Sequence, residues 1–192
     1  MMLPHEHPAS GPAADFAAVL RAHLPVLKTE RLTLRAPTIE DFPHYAEIAA
    51  SPEGRYLTED QTRESAWLDF AQMTATWLLR GHGVWTVEAR DSGETLGFVL
   101  IGFEPGDHEP ELGYLFLPVA RGLGYAREAA EAVRAYAFDV AGLSSLVSTV
   151  DPDNAASHRL AERLGARRDA RAEAAHGHTI HVWRHSRPEA RA

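Results

Sequence analysis

The stretch Glu111-Leu112-Gly113-Tyr114-Leu115-Phe116-Leu117-Pro118-Val119-Ala120-Arg121-Gly122-Leu123-Gly124-Tyr125-Ala126 decides the fold. Its first seven residues, Glu111 to Leu117, form a strand after the turn Glu104 to Pro110. The spacing then predicts a long helix from about Gly122 to Val140. Its buried stripe is Ala126, Ala129, Ala130, Val133, Ala137 and Val140. Gly142 ends that helix, and Ser145 to Val150 forms the next strand. A strand, a crossover helix and a second strand make a parallel pair with a right-handed connection. Such units bind ligands at the carboxyl ends of their strands.

Upstream, Thr29 to Arg35 is a strand with Leu32 and Leu34 on one face. Thr38, with Asp41 three residues on, can cap a helix carrying Phe42, Tyr45, Ala46 and Ala49. A second helix runs from about Thr62 to Arg80, with Trp67, Phe70, Ala71, Trp77 and Leu78 as its apolar stripe. Val84 to Arg90, Thr95 to Phe103 and Glu111 to Leu117 then form an antiparallel meander. Downstream, Asp153 or Asn154 caps a helix closed near Leu164 by Gly165. Two closing strands around His176-Gly177 are expected, Thr179 to Trp183 being the clearer, with Glu173 in the earlier part. The expected fold class is α/β (α+β mixed). It has a largely antiparallel six- to seven-stranded sheet, a central parallel pair and helices on both faces.

The 192 residues fit one domain, taken as 25–192, preceded by a tail, 1–24, with a short amphipathic helix around Phe16, Val19, Leu20 and Leu24. Residues up to about Gly11 are Pro- and His-rich and are expected to be mobile. The N-terminus lacks the pattern of a signal peptide, so a cytoplasmic location is expected. No apolar run approaches a membrane span. The chain has no cysteine, which removes disulfides, thiolate metal sites and a cysteine nucleophile. A net charge of -8 argues against a nucleic-acid ligand and suits a cationic one.

The turn before the long helix carries the chemistry. Gly122 and Gly124 leave the backbone open to a ligand. The first N–H groups of the helix have no helical acceptor and carry partial positive charge, an environment that suits a pyrophosphate. Arg121 can add a charge-assisted contact. A Gly-x-Gly turn alone serves tight packing as readily as anion binding. It lacks the third glycine of a dinucleotide fingerprint and the Gly-Lys-Ser/Thr of a P-loop.

Arg121-x-x-Gly124-x-Ala126 resembles the Arg/Gln-x-x-Gly-x-Gly/Ala signature of the GNAT acetyltransferase superfamily. Glu111-Leu112-Gly113-Tyr114, Asn154-x-x-Ser157, Leu164-Gly165-Ala166 and Thr29-Glu30-Arg31-Leu32-x-Leu34-Arg35 look like its RimJ/RimL branch. The resemblance covers about Thr29 to Trp183. It implies acetyl-CoA as cosubstrate, bound by Leu115, Phe116, Leu117, Arg121, Gly122, Leu123, Gly124, Tyr125, Ala126 and Asn154. The pantetheine arm would lie between the splayed strands, with the Phe116 N–H polarising the thioester carbonyl. It implies Glu111 as general base and Ser157 as proton donor to the leaving thiolate. Glu173 is a second candidate base. The family's usual tyrosine, seven residues after the asparagine, is Ala161 here.

The implied reaction is direct acetyl transfer to a primary amine, on a protein N-terminus or a small molecule. The competing reading is a degenerate acyl-CoA-binding sensor without turnover. Partners are then acetyl-CoA and an amine, with neither nucleic acid nor membrane. The oligomeric state is open, a homodimer being one option. No metal is expected: the 11 histidines include no His-Glu-x-x-His, and His176 with His178 is the nearest approach to a ligand pair. Trp67, Trp77 and Trp85 are read as core rather than a substrate cage. The acceptor wall should include Ser51 to Thr62, with Tyr56 in it. Arg167, Arg168 and Asp169 are read as a solvated strand start.

Overall fold

The structure, a computed structural model, describes residues 3–57, 60–177 and 179–187. His178, Thr58, Glu59, Met1 and Met2 of the expectations above lie outside the described residues.

The chain order is α1 (Pro12–Ala22), β1 (Leu27–Lys28), β2 (Leu32–Arg35), α2 (Phe42–Ala49), α3 (Arg63–Arg80), β3 (Val84–Ala89), β4 (Thr95–Gly102) and β5 (Glu111–Phe116). Then come α4 (Tyr125–Asp139), β6 (Val147–Val150), α5 (Ala155–Arg163), β7 (Arg167–Arg168), α6 (Ala170–Ala175) and β8 (His181–Arg184). The strands form one sheet in the order β1-β2-β3-β4-β5-β6-β8-β7. Only β5 and β6 are parallel among the described strands. The sheet has eight strands, one more than the upper expectation, because the two-residue segment β1 adds an edge strand beside β2, while β7 is the start of the first expected closing strand.

Local chemistry explains the element ends. Thr62 Oγ1 accepts from Ser65 N–H at 3.1 Å and opens α3, and Gly81 in the left-handed region closes it. Helices α4 and α5 cover one face, over Leu32, Leu34, Trp85, Val99, Ile101 and Leu112. Helices α2 and α3 cover the other, over Val84, Phe98, Leu100, Leu115 and Leu117. Trp77 and Trp85 are buried and meet edge to face at 4.5 Å, as core residues do. Trp67 is half-buried against Phe42.

Several expectations need correction. The long helix starts at Tyr125 rather than Gly122, since Gly122 and Gly124 hold positive φ. Val140, Leu78 and Ala71 are exposed, because the inward stripe of α3 is Ala66, Phe70, Met73 and Trp77 and α4 ends before Val140. Glu173 is not in a strand. Asp169 accepts from Arg171 and Ala172 N–H and caps helix α6, which stands where the first closing strand was expected beyond Arg168. Arg168 and Asp169 are not merely solvated, for they pair with Glu173 and Arg184. In the N-terminal segment, Glu6 is buried and accepts from Arg63 at 2.5 and 3.0 Å, so residues 4–6 dock on α3. Helix α1 forms, yet buries none of its residues.

One ion pair locks β2 to α2. Asp41 is buried and accepts from Arg35 at 2.7 and 2.8 Å, from Thr38 N–H at 2.7 Å and from Thr86 Oγ1 at 2.9 Å. Burial pushes the Asp41 carboxyl up, but Arg35 and these N–H and O–H donors outweigh it and hold the carboxyl below its usual range. Its stabilising contribution is therefore present at neutral pH and lost as pH falls through the lowered value. Asp41→Ala should destabilise by about 1–3 kcal/mol, because it leaves the buried Thr86 hydroxyl without its acceptor and the half-buried Arg35 with Glu88 as its remaining carboxylate. Val140→Ala should change stability by no more than about 0.5 kcal/mol. Urea unfolding at pH 7 checks both.

Candidate active site

The site begins where β5 leaves β6. Their only paired position is Glu111 with Val147, and Val147 N–H donates to Pro110 O at 3.0 Å. A regular parallel ladder would continue with Thr149 N–H donating to Leu112 O. Side chains replace that rung. Thr149 N–H donates to Glu111 Oε1 at 3.1 Å, and Leu112 O accepts from Ser148 Oγ at 2.6 Å. The strands then diverge into a wedge. Farther out, Tyr114 OH crosses the gap to Ser157 O at 3.2 Å. The first turns of α4 and α5 flank the open mouth, since α4 follows β5 and α5 follows β6.

At the β5 side of the mouth, Gly122 (φ 77) and Gly124 (φ 85) adopt a backbone that L-side chains rarely reach. A Cβ on Gly122 would meet nothing within 4 Å, so the turn is open above that residue. The helix's first bond runs from Glu128 N–H to Gly124 O. The N–H groups of Tyr125, Ala126 and Arg127 therefore have no helical acceptor. This is the environment an anionic ligand needs, and the residues Leu123 to Ala126 fit it. Phe116, Leu115 and Leu117 are buried along β5 and its exit.

The turn is held by Thr29 and Arg31 of the Thr29–Arg35 motif. Thr29 Oγ1 and Arg31 N–H donate to Glu128 Oε1 at 2.5 and 2.9 Å, and Arg31 Nε donates to Glu128 Oε2 at 2.7 Å. Arg31 Nη1 also donates to Leu123 O at 3.0 Å, and its guanidinium lies 4.6 Å from the Tyr125 ring centre. Arg121 is placed differently from a free phosphate contact. Its Nε donates to Phe116 O at 3.0 Å and its Nη1 pairs with Glu53 at 2.7 Å. Glu53 belongs to a 3-10 turn, Pro52–Tyr56, and neighbouring Arg55 feels the charges of Asp153 and Asp151 after β6. That turn thus reaches toward both sides of the mouth. Tyr56 lies in it, half-buried, its hydroxyl accepting from Arg55 Nη2 at 2.6 Å.

Glu111 sits at the wedge apex, on the α2/α3 face. Thr149 Oγ1 donates to its Oε2 at 2.7 Å, beside the backbone bond already described. Burial raises the Glu111 carboxyl to about 7, against the lowering effect of the two Thr149 donors. The nearby charges of Asp107 and Glu104 add to the rise. Asp69 and Glu104 are likewise raised by burial, Asp69 while accepting from Tyr45 OH at 2.5 Å. A cavity of about 360 Å3 adjoins this apex, lined in part by Asp107, His108, Thr149, Asp169, His176 and Arg184. His108 and His176 meet edge to face there at 4.9 Å.

On the β6 side, Asn154 Oδ1 accepts from Ser157 N–H at 3.1 Å and caps α5. The Ser157 hydroxyl bonds to no other described residue and is half-buried. Ala161 is fully buried against Val150, Ala166 and Trp183, where a tyrosine would not fit. Glu173 lies away from the apex. Arg168 donates to it at 2.5 and 2.8 Å and Val182 N–H at 3.1 Å, and the Arg168 guanidinium holds its carboxyl low. Among the described residues, no group of three or more His, Asp or Glu side chains is gathered for a metal.

Comparison with known proteins agrees with this geometry. A family model described as an acetyltransferase (GNAT) domain matches residues 31–167, and the chain belongs to the GNAT acetyltransferase family. The crystal structure of an acetyltransferase from Agrobacterium tumefaciens strain C58 is similar, with a TM-score of 0.77 and 36% identity over 85% of this chain and 95% of that one. The uncharacterized N-acetyltransferase YoaA of Bacillus subtilis (strain 168) is 32% identical over 152 residues, covering 76% of this chain and 84% of the relative. The uncharacterized N-acetyltransferase YnaD of the same organism is 34% identical over 80 residues, 42% of this chain. The match spans only 47% of YnaD's own length.

The opposing effects on Glu111 can be separated. Thr149→Val deletes one donor that favours the carboxylate. The Glu111 midpoint should then rise above its value of about 7, measured by carboxyl-carbon NMR titration; a fall would refute the assignment.

Proposed function

We propose that this protein is an N-acetyltransferase that uses acetyl-CoA and a primary amine, with residues 25–192 as its catalytic domain and 1–24 as an appended segment. The observation that carries the reading is the single-rung parallel pair, which opens a wedge between the first turns of two helices. The motif order supports placement near the RimJ/RimL branch.

Acetyl-CoA supplies an activated thioester. The open turn Gly122–Ala126 holds its phosphates, and Arg121 exchanges Glu53 for them. Phe116 N–H faces the wedge and polarises the thioester carbonyl. Leu115, Leu117 and Asn154 line the remaining wall. Glu111 takes the proton from the attacking amine, and its midpoint near 7 suits a base at neutral pH. Ser157 hands a proton to the departing sulfur. The cavity at the apex takes the acceptor; Arg184 holds Glu109 and Asp169, so Asp107 with nearby Glu111 is what favours a protonated amine on approach.

Titration calorimetry with acetyl-CoA, followed by turnover against a panel of amines, tests this. Glu111→Gln should lower kcat by about 10²–10⁴-fold. Because the base must be ionised, kcat should rise with pH through about 7 in the wild type and lose that rise in the variant. Absence of binding at millimolar acetyl-CoA would remove the donor assignment. Wild-type turnover by Glu111→Gln would remove the base assignment. Tight cofactor binding without turnover of any amine would favour a binding module.

A further inference from the structure

The replaced rung also has a second half, on the α4 face. Ser148 is 2% exposed and His185 is 3% exposed. The single hydroxyl proton of Ser148 goes to Leu112 O at 2.6 Å. His185 Nε2, 2.9 Å from Ser148 Oγ, must therefore be the donor of that second bond. His185 Nδ1 is buried and has no partner among the described residues. Burial, with the charge of Arg134 nearby, holds His185 down to about 4, so the imidazole is neutral and its one proton stays on Nε2. Arg134, whose guanidinium donates to Leu164 O, is the charged group that faces it from α4.

We infer that Ser148 and His185 are a positioning pair that keeps the β5–β6 wedge open and thereby sets its affinity for coenzyme A. The logic follows from the ladder. Once Val147 has paired, the two groups due to bond next are Thr149 N–H and Leu112 C=O. Each already has a side-chain partner: Glu111 on one face, Ser148 on the other. Removing the Ser148 hydroxyl leaves Leu112 O buried without a donor. The nearest remedy is for the strands to zip one rung further, through Thr149. That narrows the cleft from its apex. His185 acts through Ser148: it fills the hydroxyl's acceptor side and so aims its proton at Leu112. No residue of this pair touches the reacting atoms.

The inference rests on the reading of the wedge as the coenzyme A cleft, and one experiment separates the two. Titration calorimetry with coenzyme A is run on the full chain, its Ser148→Ala and His185→Phe variants, His185→Gln, and Ile101→Val as a buried control on β4. Acetyl-CoA KM and kcat are measured alongside. Ser148→Ala and His185→Phe should each weaken coenzyme A by about five- to tenfold, the scale of one lost hydrogen bond. KM should rise, and because zipping takes Thr149 N–H from Glu111, the pH midpoint of kcat should move above about 7 while kcat well above that midpoint stays within about twofold. His185→Gln, which keeps a donor near the Nε2 position, should bind within about twofold of wild type. Should Ser148→Ala not fold, Ser148→Cys carries the same comparison with a weaker donor. Wild-type affinity in both Ser148→Ala and His185→Phe would overturn the inference while leaving the cleft reading intact. So would an equal loss in Ile101→Val, which would mark a general stability effect. No binding by the wild type would overturn the cleft reading itself.

Discussion

The structure depends on one missing ladder rung between β5 and β6. A parallel pair that continued past Glu111 and Val147 would have closed the sheet and left no cleft. Here both groups of the next rung are satisfied locally, by the Glu111 carboxylate and the Ser148 hydroxyl. Breaking a ladder in the interior of a sheet ordinarily leaves costly unpaired backbone groups. This arrangement avoids that cost at the apex. It also places the only raised carboxyl on β5 at the point where the strands part. The shape of the cleft and the position of this carboxyl therefore have a common cause.

The wedge would be of little use without a fixed mouth. Helix α4 is held from two directions. Its alanine-rich stripe, Ala129, Ala130 and Ala137 with Val133, packs fully buried on the sheet. Small side chains let the helix axis approach closely, which sets the height of the glycine turn over the strand ends. Its first turn is then tied sideways, because Glu128 accepts from Thr29 and twice from Arg31. The carboxylate near the helix start also complements the helix dipole. A segment far away in sequence thus positions the glycine turn. The Arg35–Asp41 pair does the equivalent work for α2 on the opposite face.

Much of this was legible in the chain, and the reasons for the remainder are specific. Periodicity located β3, β4, β5, α3, α4 and α5, because each has a strong apolar pattern between clear breakers. The meander followed from its tight turns, and the crossover from the long helix between β5 and β6. Helix α6 was missed because Ala-Arg-Ala-Glu-Ala-Ala carries no apolar face, and its existence depends on Asp169 as cap and on the Glu173–Arg168 pair. The extra edge strand β1 was missed because two residues carry no period. At the site, motif spacing named Glu111, Ser157, Asn154 and the glycine turn. It could not name Ser148 or His185, which are an ordinary strand serine and one of eleven histidines until the fold brings them to 2.9 Å. Nor could it show that Glu53 sits on Arg121, a contact made across the mouth by two distant segments.

In the proposed reaction Glu111 would carry two duties that constrain each other. As a strap it must be ionised enough to accept from both donors of Thr149. As a base it must be able to take up a proton near neutrality. Burial alone would drive a carboxyl far upward, and a protonated Glu111 would be a poor base and a weaker acceptor. Two Thr149 donors alone would hold it below the ordinary carboxylate range and leave little tendency to accept a proton from an amine. The observed balance, near 7, lies between these limits. In the proposed reaction the same two bonds that begin the wedge thus set the proton affinity of the group at its apex. A substitution that altered the opening of the strands would necessarily shift the base as well, so cleft geometry and proton transfer in this protein are coupled rather than independently adjustable.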